Sequence, residues 1–325
     1  MSKRLLVLSI LLGVALLPAG CRSPKGAVVG PAAPASKPKA AKGSPTEDQL
    51  AHRLIRACGG DPSKVPAPFQ ERFLRLVQEQ KCPCTGRSVG PLAECTLPGD
   101  KQCIRGVFAS RSILLGLAHG GTDQEIGEQL VGRFGPRTPE KIDLAQAPCR
   151  GPEKAAAVFV LFSDFQCPGC AMARKLGETL EKAAGPYVRL CFKNLPLRKI
   201  HKQAQLAAQA ALAANKQGRF WPMHDKLFDN QTALDRDDLL GYAKELGLDA
   251  RRFKADLDSS AVKAQVERDV AEAERLGVQG TPTFYINGRE MTDPMTVPHF
   301  LDWIAEAAAL AKAKEGGPTS RPAGK

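Results

Sequence analysis

Histidine is scarce in this chain of 325 residues: His52, His119, His201, His224 and His299 are all there is. No two of them stand at a metal-ligand spacing and no Ser-His-Asp order can be read around them, so the sequence offers no signal for a histidine-built metal site or a hydrolytic triad. Each reads as a helix-surface or packing residue. Aromatic residues are few, at 6%, and no nucleic-acid-binding motif is present, so the positive charge does not point to DNA or RNA. Acidic residues are missing altogether before Glu47, where seven basic residues stand (Lys3, Arg4, Arg22, Lys25, Lys37, Lys39 and Lys42). Seven of the net +12 charges therefore belong to that segment rather than to a folded surface. A long apolar run is also missing: Leu5 to Leu17 is too short and wrongly flanked for a comfortable transmembrane helix.

That run follows Lys3 and Arg4 and precedes the small pair Ala19-Gly20, so residues 1–20 read as a signal peptide. Its ending resembles a bacterial lipoprotein signal, in which the next cysteine, here Cys21, is lipidated and becomes the mature N-terminus. The pattern departs at Pro18, where Leu is usual, and ordinary cleavage with Cys21 as a passive residue is the alternative. Either way the chain is expected to be exported to the bacterial cell envelope, facing the periplasm, with a lipid anchor in a membrane in the first case. Residues 21–46 are Pro, Ala, Lys, Gly and Ser without apolar periodicity and read as a disordered tether. Residues 313–325 read as a similar tail.

Cysteine, by contrast, is plentiful. Ten in an exported chain point to an oxidising compartment. Cys167-Pro168-Gly169-Cys170 lies between an apolar run, Val158 to Phe162, and a helix-like stretch. A strand feeding a C-x-x-C that opens a helix is a redox arrangement: the first sulfur meets the unpaired N–H groups and dipole of a helix N-terminus, which favour the reactive thiolate. With that pair and Cys21 set aside, seven cysteines remain, so at least one is free or pairs outside the chain. Cys191, in the apolar run Val188 to Phe192, is expected to be the buried, inert one. For the others three readings stay open. Cys58, Cys82, Cys84, Cys95, Cys103 and Cys149 could form structural disulfides of unknown connectivity. Cys82 and Cys84 could be a second redox pair that exchanges with Cys167 and Cys170. Zinc on Cys82, Cys84, Cys95 and Cys103 is the third, disfavoured because exported thiols tend to oxidise before they meet metal. No metal and no cofactor are expected.

From about 150 to 312 strands and helices alternate, as an α/β architecture requires. Strands are expected before Cys167, at 187–193, 283–286 and 289–291, the last two joined by Asn287-Gly288, a strong hairpin signal. Helices are expected to about 184 and at 201–216, 220–228, 237–246, 261–276 and 298–313. This region resembles the DsbA-like branch of the thioredoxin superfamily. The resemblance rests on Phe162-Ser163-Asp164-Phe165-Gln166-Cys167-Pro168-Gly169-Cys170, then Phe192 to Leu197, Gly218 to His224, and Gly280-Thr281-Pro282-Thr283-Phe284.

The resemblance implies a thioredoxin fold with an inserted helical segment, a cis Thr281-Pro282 bond, and a loop that packs on the dithiol and offers backbone groups to an extended substrate. It implies that Cys167 is the exposed attacking thiolate and Cys170 the resolving thiol. Pro168 suits the first helical position, where its missing N–H is no loss. Relatives carry a buried acid six residues before the first cysteine; here that position is Leu161. Asp164 is an odd number of residues away, so strand alternation points it to the other face, in a polar strand-end role. The Pro-Gly insert lacks a histidine that could stabilise the thiolate further, so a couple less oxidising than DsbA is expected.

Residues 47–147 read as a small Cys-rich all-α domain, with helices at 47–57, 69–80, 104–117 and from the capping box Thr122 to Glu125 onward to about 134. Lys81-Cys82-Pro83-Cys84, Arg111, Ile113 and Gly121 to Gly135 resemble the CcmH family of cytochrome c maturation, although that family has C-x-x-C where this chain has C-x-C. The expectation as a whole is a thiol–disulfide oxidoreductase acting on exported proteins and recycled by an unidentified redox partner. The alternatives are a reductase dedicated to cytochrome c maturation and a non-enzymatic interaction module whose dithiol is a structural bridge.

Overall fold

The computed structural model describes residues 45–84, 90–99 and 102–315. The expected signal peptide, Cys21, almost all of the tether and residues 316–325 of the tail lie outside the described residues. The chain divides into two compact units. One combines the residues up to 138 with those from 292 onward, and the other is Pro139–Met291.

The helical unit begins with α1 (Glu47–Ala57) and α2 (Ala67–Glu79), continues through α3 (Leu92–Thr96) and α4 (Ile104–Ala118), and reaches α5 (Asp123–Phe134). Local signals set these boundaries. Thr46 and Thr122 each close a capping box, with Gln49 and Glu125 as partners. Gly59, at φ +81°, follows α1 in the left-handed conformation that ends helices. Apolar residues at helical spacing, among them Leu54, Ile55, Phe73, Val77, Ile113 and Ile126, bury one shared core. The α3 turn was not legible in the sequence, being only five residues long.

The second unit is built on a five-stranded sheet in the order β1-β3-β2-β4-β5, from β1 (Cys149–Arg150), β2 (Ala157–Ser163), β3 (Val188–Asn194), β4 (Thr283–Ile286) and β5 (Arg289–Glu290). β2 and β3 run parallel, joined through α6 (Pro168–Ala184), while β4 pairs antiparallel with β2 and the Asn287-Gly288 hairpin returns as β5. β2 is buried on both faces, as a central strand must be. Between β3 and β4 five helices are inserted: α7 (Ala204–Asn215), α8 (Phe220–Asp229), α9 (Arg236–Glu245), α10 (Ala250–Leu257) and α11 (Ser260–Leu276). α10 was not foreseen, because only Phe253 and Leu257 carry its apolar face among charged neighbours. On one side of the sheet Val160, Phe162 and Tyr285 pack with Ala273. Phe165 stacks on Phe192 with ring centroids 5.2 Å apart, beside Phe220, His224 and Phe228.

The last helix is α12 (Val297–Glu315). It belongs to the helical unit, where Ala305 and Ala309 pack on the shared core. Asp302 and Glu306, one turn apart, hold Arg133 in ion pairs of 2.8 and 2.9 Å. Arg133 is 1% exposed and its guanidinium also lies 4.4 Å from the Trp303 ring. Burial alone would pull this guanidinium down, and the Asp302 and Glu306 carboxylates more than offset it. No helix among the described residues is long and apolar enough to cross a membrane.

One expectation about cysteine is overturned, and one of the open readings does not hold. Cys191 is not the inert residue: β1 pairs with β3 so that Cys149 stands opposite Cys191, with Cα atoms 4.1 Å apart, and the two form a disulfide. Among the described residues of the helical unit, the odd thiol is Cys58, buried and pushed up by that burial. Cys82 and Cys84 do not bond to each other. Cys82 is joined to Cys95 and Cys84 to Cys103, and the Cys82 N–H to Gly90 and Cys103 N–H to Cys95 backbone hydrogen bonds hold those partners side by side.

Candidate active site

β2 ends at Ser163, and the short link Asp164–Gln166 delivers Cys167 to the N-cap of α6, with Pro168 in its first turn. The link is fixed by its own polar groups. The buried Asp164 carboxylate accepts the N–H of Gln166 (2.7 Å) and of Leu197 (2.7 Å), and contacts His201 Nδ1 at 2.8 Å. It therefore serves the strand end, as expected from alternation, and pins the 195–203 loop. Gln231, from the segment after α8, donates to the carbonyls of Phe165 (2.8 Å) and Cys167 (3.0 Å). These contacts hold the backbone beneath the first sulfur, and neither His201 nor Gln231 was singled out by sequence reasoning, since only the fold brings them near.

The two sulfurs occupy different surroundings. Cys170 lies one turn inside α6 and is fully buried, while Cys167 retains 8% exposure. The expected open exposure of Cys167 is thus corrected to a narrow access. The cause is the Gly280–Pro282 loop: the Thr281–Pro282 bond is cis, and the Cys167 thiol donates to the Thr281 carbonyl at 3.4 Å. Gly169 keeps that access open, since a Cβ there would stand 3.0 Å from Pro282 Cδ and 3.6 Å from Cys167 Sγ. All four residues expected at the site, Cys167, Cys170, Thr281 and Pro282, are brought together.

Burial pushes the Cys170 thiol up to about 12, against the opposing pull of the Asp164 N–H, which donates to its sulfur at 3.4 Å, and of the Ser163 and Thr281 hydroxyls. Those two hydroxyl oxygens are buried and meet no other hydrogen-bond partner. Leu161, where an acid would be expected, is buried and apolar. Ser163, two residues further and so on the same strand face, supplies the polarity that Leu161 lacks. The two-residue offset was readable in the sequence, but the approach of Ser163 to Cys170 was not. Chemically, a thiol at a helix N-terminus beside a second, buried thiol is an arrangement for thiol–disulfide exchange.

The thioredoxin fold with a dithiol at the β2–α6 junction defines the class. The family model described as "Thioredoxin" matches residues 144–306, half of the chain, and the chain belongs to that family. Among curated proteins, the chain is 46% identical over 142 residues to a Na(+)/H(+) antiporter NhaA of Herminiimonas arsenicoxydans, a match that covers 44% of this chain and 22% of the antiporter. The chain thus spans only about a fifth of that relative's length. Among solved structures, it is similar to a thioredoxin-like oxidoreductase from Silicibacter pomeroyi DSS-3 (28% identity, TM-score 0.46, 53% of this chain and 95% of that one). It is also similar to oxidised BdbD from Bacillus subtilis (24% identity, TM-score 0.47, 52% and 97%).

Proposed function

We propose that this protein is a thiol–disulfide oxidoreductase that acts on exported proteins, with Cys167 as the nucleophile and Cys170 as the resolving thiol. One observation carries the reading: Cys167 Sγ sits at the N-cap of a 17-residue helix, against the carbonyl before a cis proline, with a second thiol buried one turn further on. The helix N-terminus favours the Cys167 thiolate, which attacks a substrate disulfide, forms a mixed disulfide and releases one substrate thiolate. Cys170, once deprotonated, attacks Cys167 Sγ. The second substrate sulfur leaves as a thiolate, and the Cys167–Cys170 disulfide remains. The same steps in reverse oxidise a substrate dithiol. Thr281 and Pro282 offer backbone groups to an extended substrate segment, a sequence-tolerant mode of recognition.

On this reading the chain works in the cell envelope, tied to a membrane by lipid on Cys21, and a second redox protein recycles the dithiol. The transport activity of the antiporters is not carried over, because the match spans a small part of their length. Insulin reduction and dithiol-peptide oxidation, assayed on the wild type and on Cys167→Ser, test the proposal. Exchange in the wild type that disappears in the variant is the expected result. Activity that survives the substitution, or is absent from both, favours an interaction module with a structural dithiol instead. The in-cell redox state of Cys167 and Cys170 then separates an oxidase, held mostly as the disulfide, from a reductase or isomerase, held mostly as the dithiol.

A further inference from the structure

Four sulfurs converge in the helical unit. The Sγ atoms of Cys82, Cys84, Cys95 and Cys103 all lie within 4.8 Å of one another. Two independent disulfides need only two close pairs, whereas here every pairing among the four is close. The backbone builds this convergence. The Cys82 N–H donates to the Gly90 carbonyl at 3.1 Å, folding the Cys82–Cys84 arm over α3. The Cys103 N–H donates to the Cys95 carbonyl at 3.0 Å, setting the start of α4 beside the end of α3. Cys103 caps α4, and its sulfur accepts the Gly106 N–H at 3.2 Å. Gly106 is required here: a Cβ would lie 2.6 Å from Cys95 Sγ and 2.7 Å from the Cys95 carbonyl oxygen. Cys95 and Cys103 are buried while Cys82 and Cys84 are half-buried, so the cluster is closed beneath and approachable above.

We propose that these four cysteines form a redox-gated zinc site, closed as the Cys82–Cys95 and Cys84–Cys103 disulfides when oxidised and as one tetrahedral zinc–thiolate centre when reduced. The spread of the four sulfurs suits a single zinc ion. Four thiolates about 2.3 Å from Zn²⁺ stand about 3.8 Å apart, which fits inside the 4.8 Å spread. An all-sulfur tetrahedral set selects zinc over the hard cations calcium and magnesium. The α4 N-terminus and the Gly106 N–H lower the cost of a thiolate at Cys103. The chemistry balances with a dithiol as reductant: two dithiol molecules each pass two electrons and two protons to one disulfide and become disulfides themselves. The four thiols that result then lose four protons as they bind one Zn²⁺. With all four positions filled by protein, the centre is structural, holding the Cys82–Cys84 arm to α3 and α4 after the disulfides have opened.

The test uses the full chain, reduced with a phosphine and freed of it without oxygen, then titrated with Co²⁺ as a spectroscopic stand-in and with Zn²⁺ as competitor. The reduced wild type is expected to take up about one metal per chain, with the visible bands and thiolate charge-transfer of a tetrahedral all-sulfur site. The oxidised wild type should take up none. Because Cys167 and Cys170 also offer thiols, two double variants locate the metal. Cys167→Ser/Cys170→Ser should retain the spectrum, and Cys84→Ser/Cys95→Ser should lose it. The proposal is overturned if the reduced wild type binds less than about a tenth of an equivalent, or if the loss falls on the Cys167/Cys170 variant instead. A spectrum of mixed nitrogen or oxygen ligation overturns it as well.

Discussion

Each unit places a cysteine at the N-cap of a long helix, Cys103 on α4 and Cys167 on α6, yet the two sulfurs have opposite fates. The helix dipole and orphan N–H groups act on both. Cys103 Sγ accepts the Gly106 N–H and is bonded to Cys84, so while the disulfide stands it offers no thiolate. Cys167 makes no side-chain cap, and its thiol donates to the Thr281 carbonyl while staying unbonded to another sulfur. Reactivity at a helix N-terminus is therefore decided by what else touches the sulfur, not by the terminus alone. The units also differ in how they bury charge. Arg133 is enclosed by Asp302 and Glu306, while Lys193 lies between Asp269 and Glu272 with Asn194 sharing the Asp269 carboxylate.

Substitution at the two caps gives the largest contrast. Cys167→Ser is expected to reduce disulfide exchange to the uncatalysed rate, and Cys103→Ser to leave it close to wild type in an insulin assay. Exchange that collapses in Cys103→Ser would break the contrast and bring the helical unit into catalysis. Acid stability comes next. His299 is completely buried, and burial, with the His119 and Arg133 charges, pulls its imidazole down to about 3. An unfolded histidine titrates near 6.5, so the unfolded chain binds the proton first as pH falls. The helical unit thus keeps this contribution above about pH 6.5 and loses up to about 5 kcal/mol between there and about pH 3. Urea unfolding at pH 7 and pH 4 should show the loss, and His299→Gln should flatten it. A wild type equally stable at both pH values contradicts the assignment.

The buried ion clusters sharpen the comparison further. Arg133→Met removes the fully buried central cation and leaves Asp302 and Glu306 with only the flanking Arg111 and Arg105, at a cost of about 3–5 kcal/mol. Lys193→Met leaves Asp269 still held by two Asn194 donors, so about 1–3 kcal/mol is expected. Chemical denaturation ranks them, and a larger loss at Lys193 would reverse the reading. The smallest effect concerns the redox couple. Without a histidine between its cysteines, the Cys167/Cys170 pair should lie below the DsbA value of about −120 mV by some tens of millivolts. A glutathione titration giving a potential at or above that value removes the expectation.

Much of this was legible in the residues. Capping boxes, the Asn287-Gly288 hairpin, the apolar periodicity of α2 and the strand–C-x-x-C–helix order are local, and local chemistry is written in consecutive residues. Pro282 could be placed against the dithiol only through the family resemblance, and the structure puts it there. The disulfide partners were not legible. Cys149 meets Cys191 only because β1 adds to the sheet edge in one register, and a one-residue slip would point them to opposite faces. The pairing of Cys82 and Cys84 depends on where α3 and α4 start, and Arg133 finds its acids more than 160 residues away.

What the sequence determined by itself is the dithiol, Cys167-Pro168-Gly169-Cys170, and its place at the head of a helix, because strand, cap and helix signals lie side by side in the chain. What only the tertiary structure decided is the surroundings of each sulfur: the lid of Thr281 and Pro282 over Cys167, the hydroxyls around Cys170, and the convergence of four cysteines at α3 and α4. Burial and partnership depend on packing between distant segments, and those two quantities distinguish a reactive thiol from a structural one.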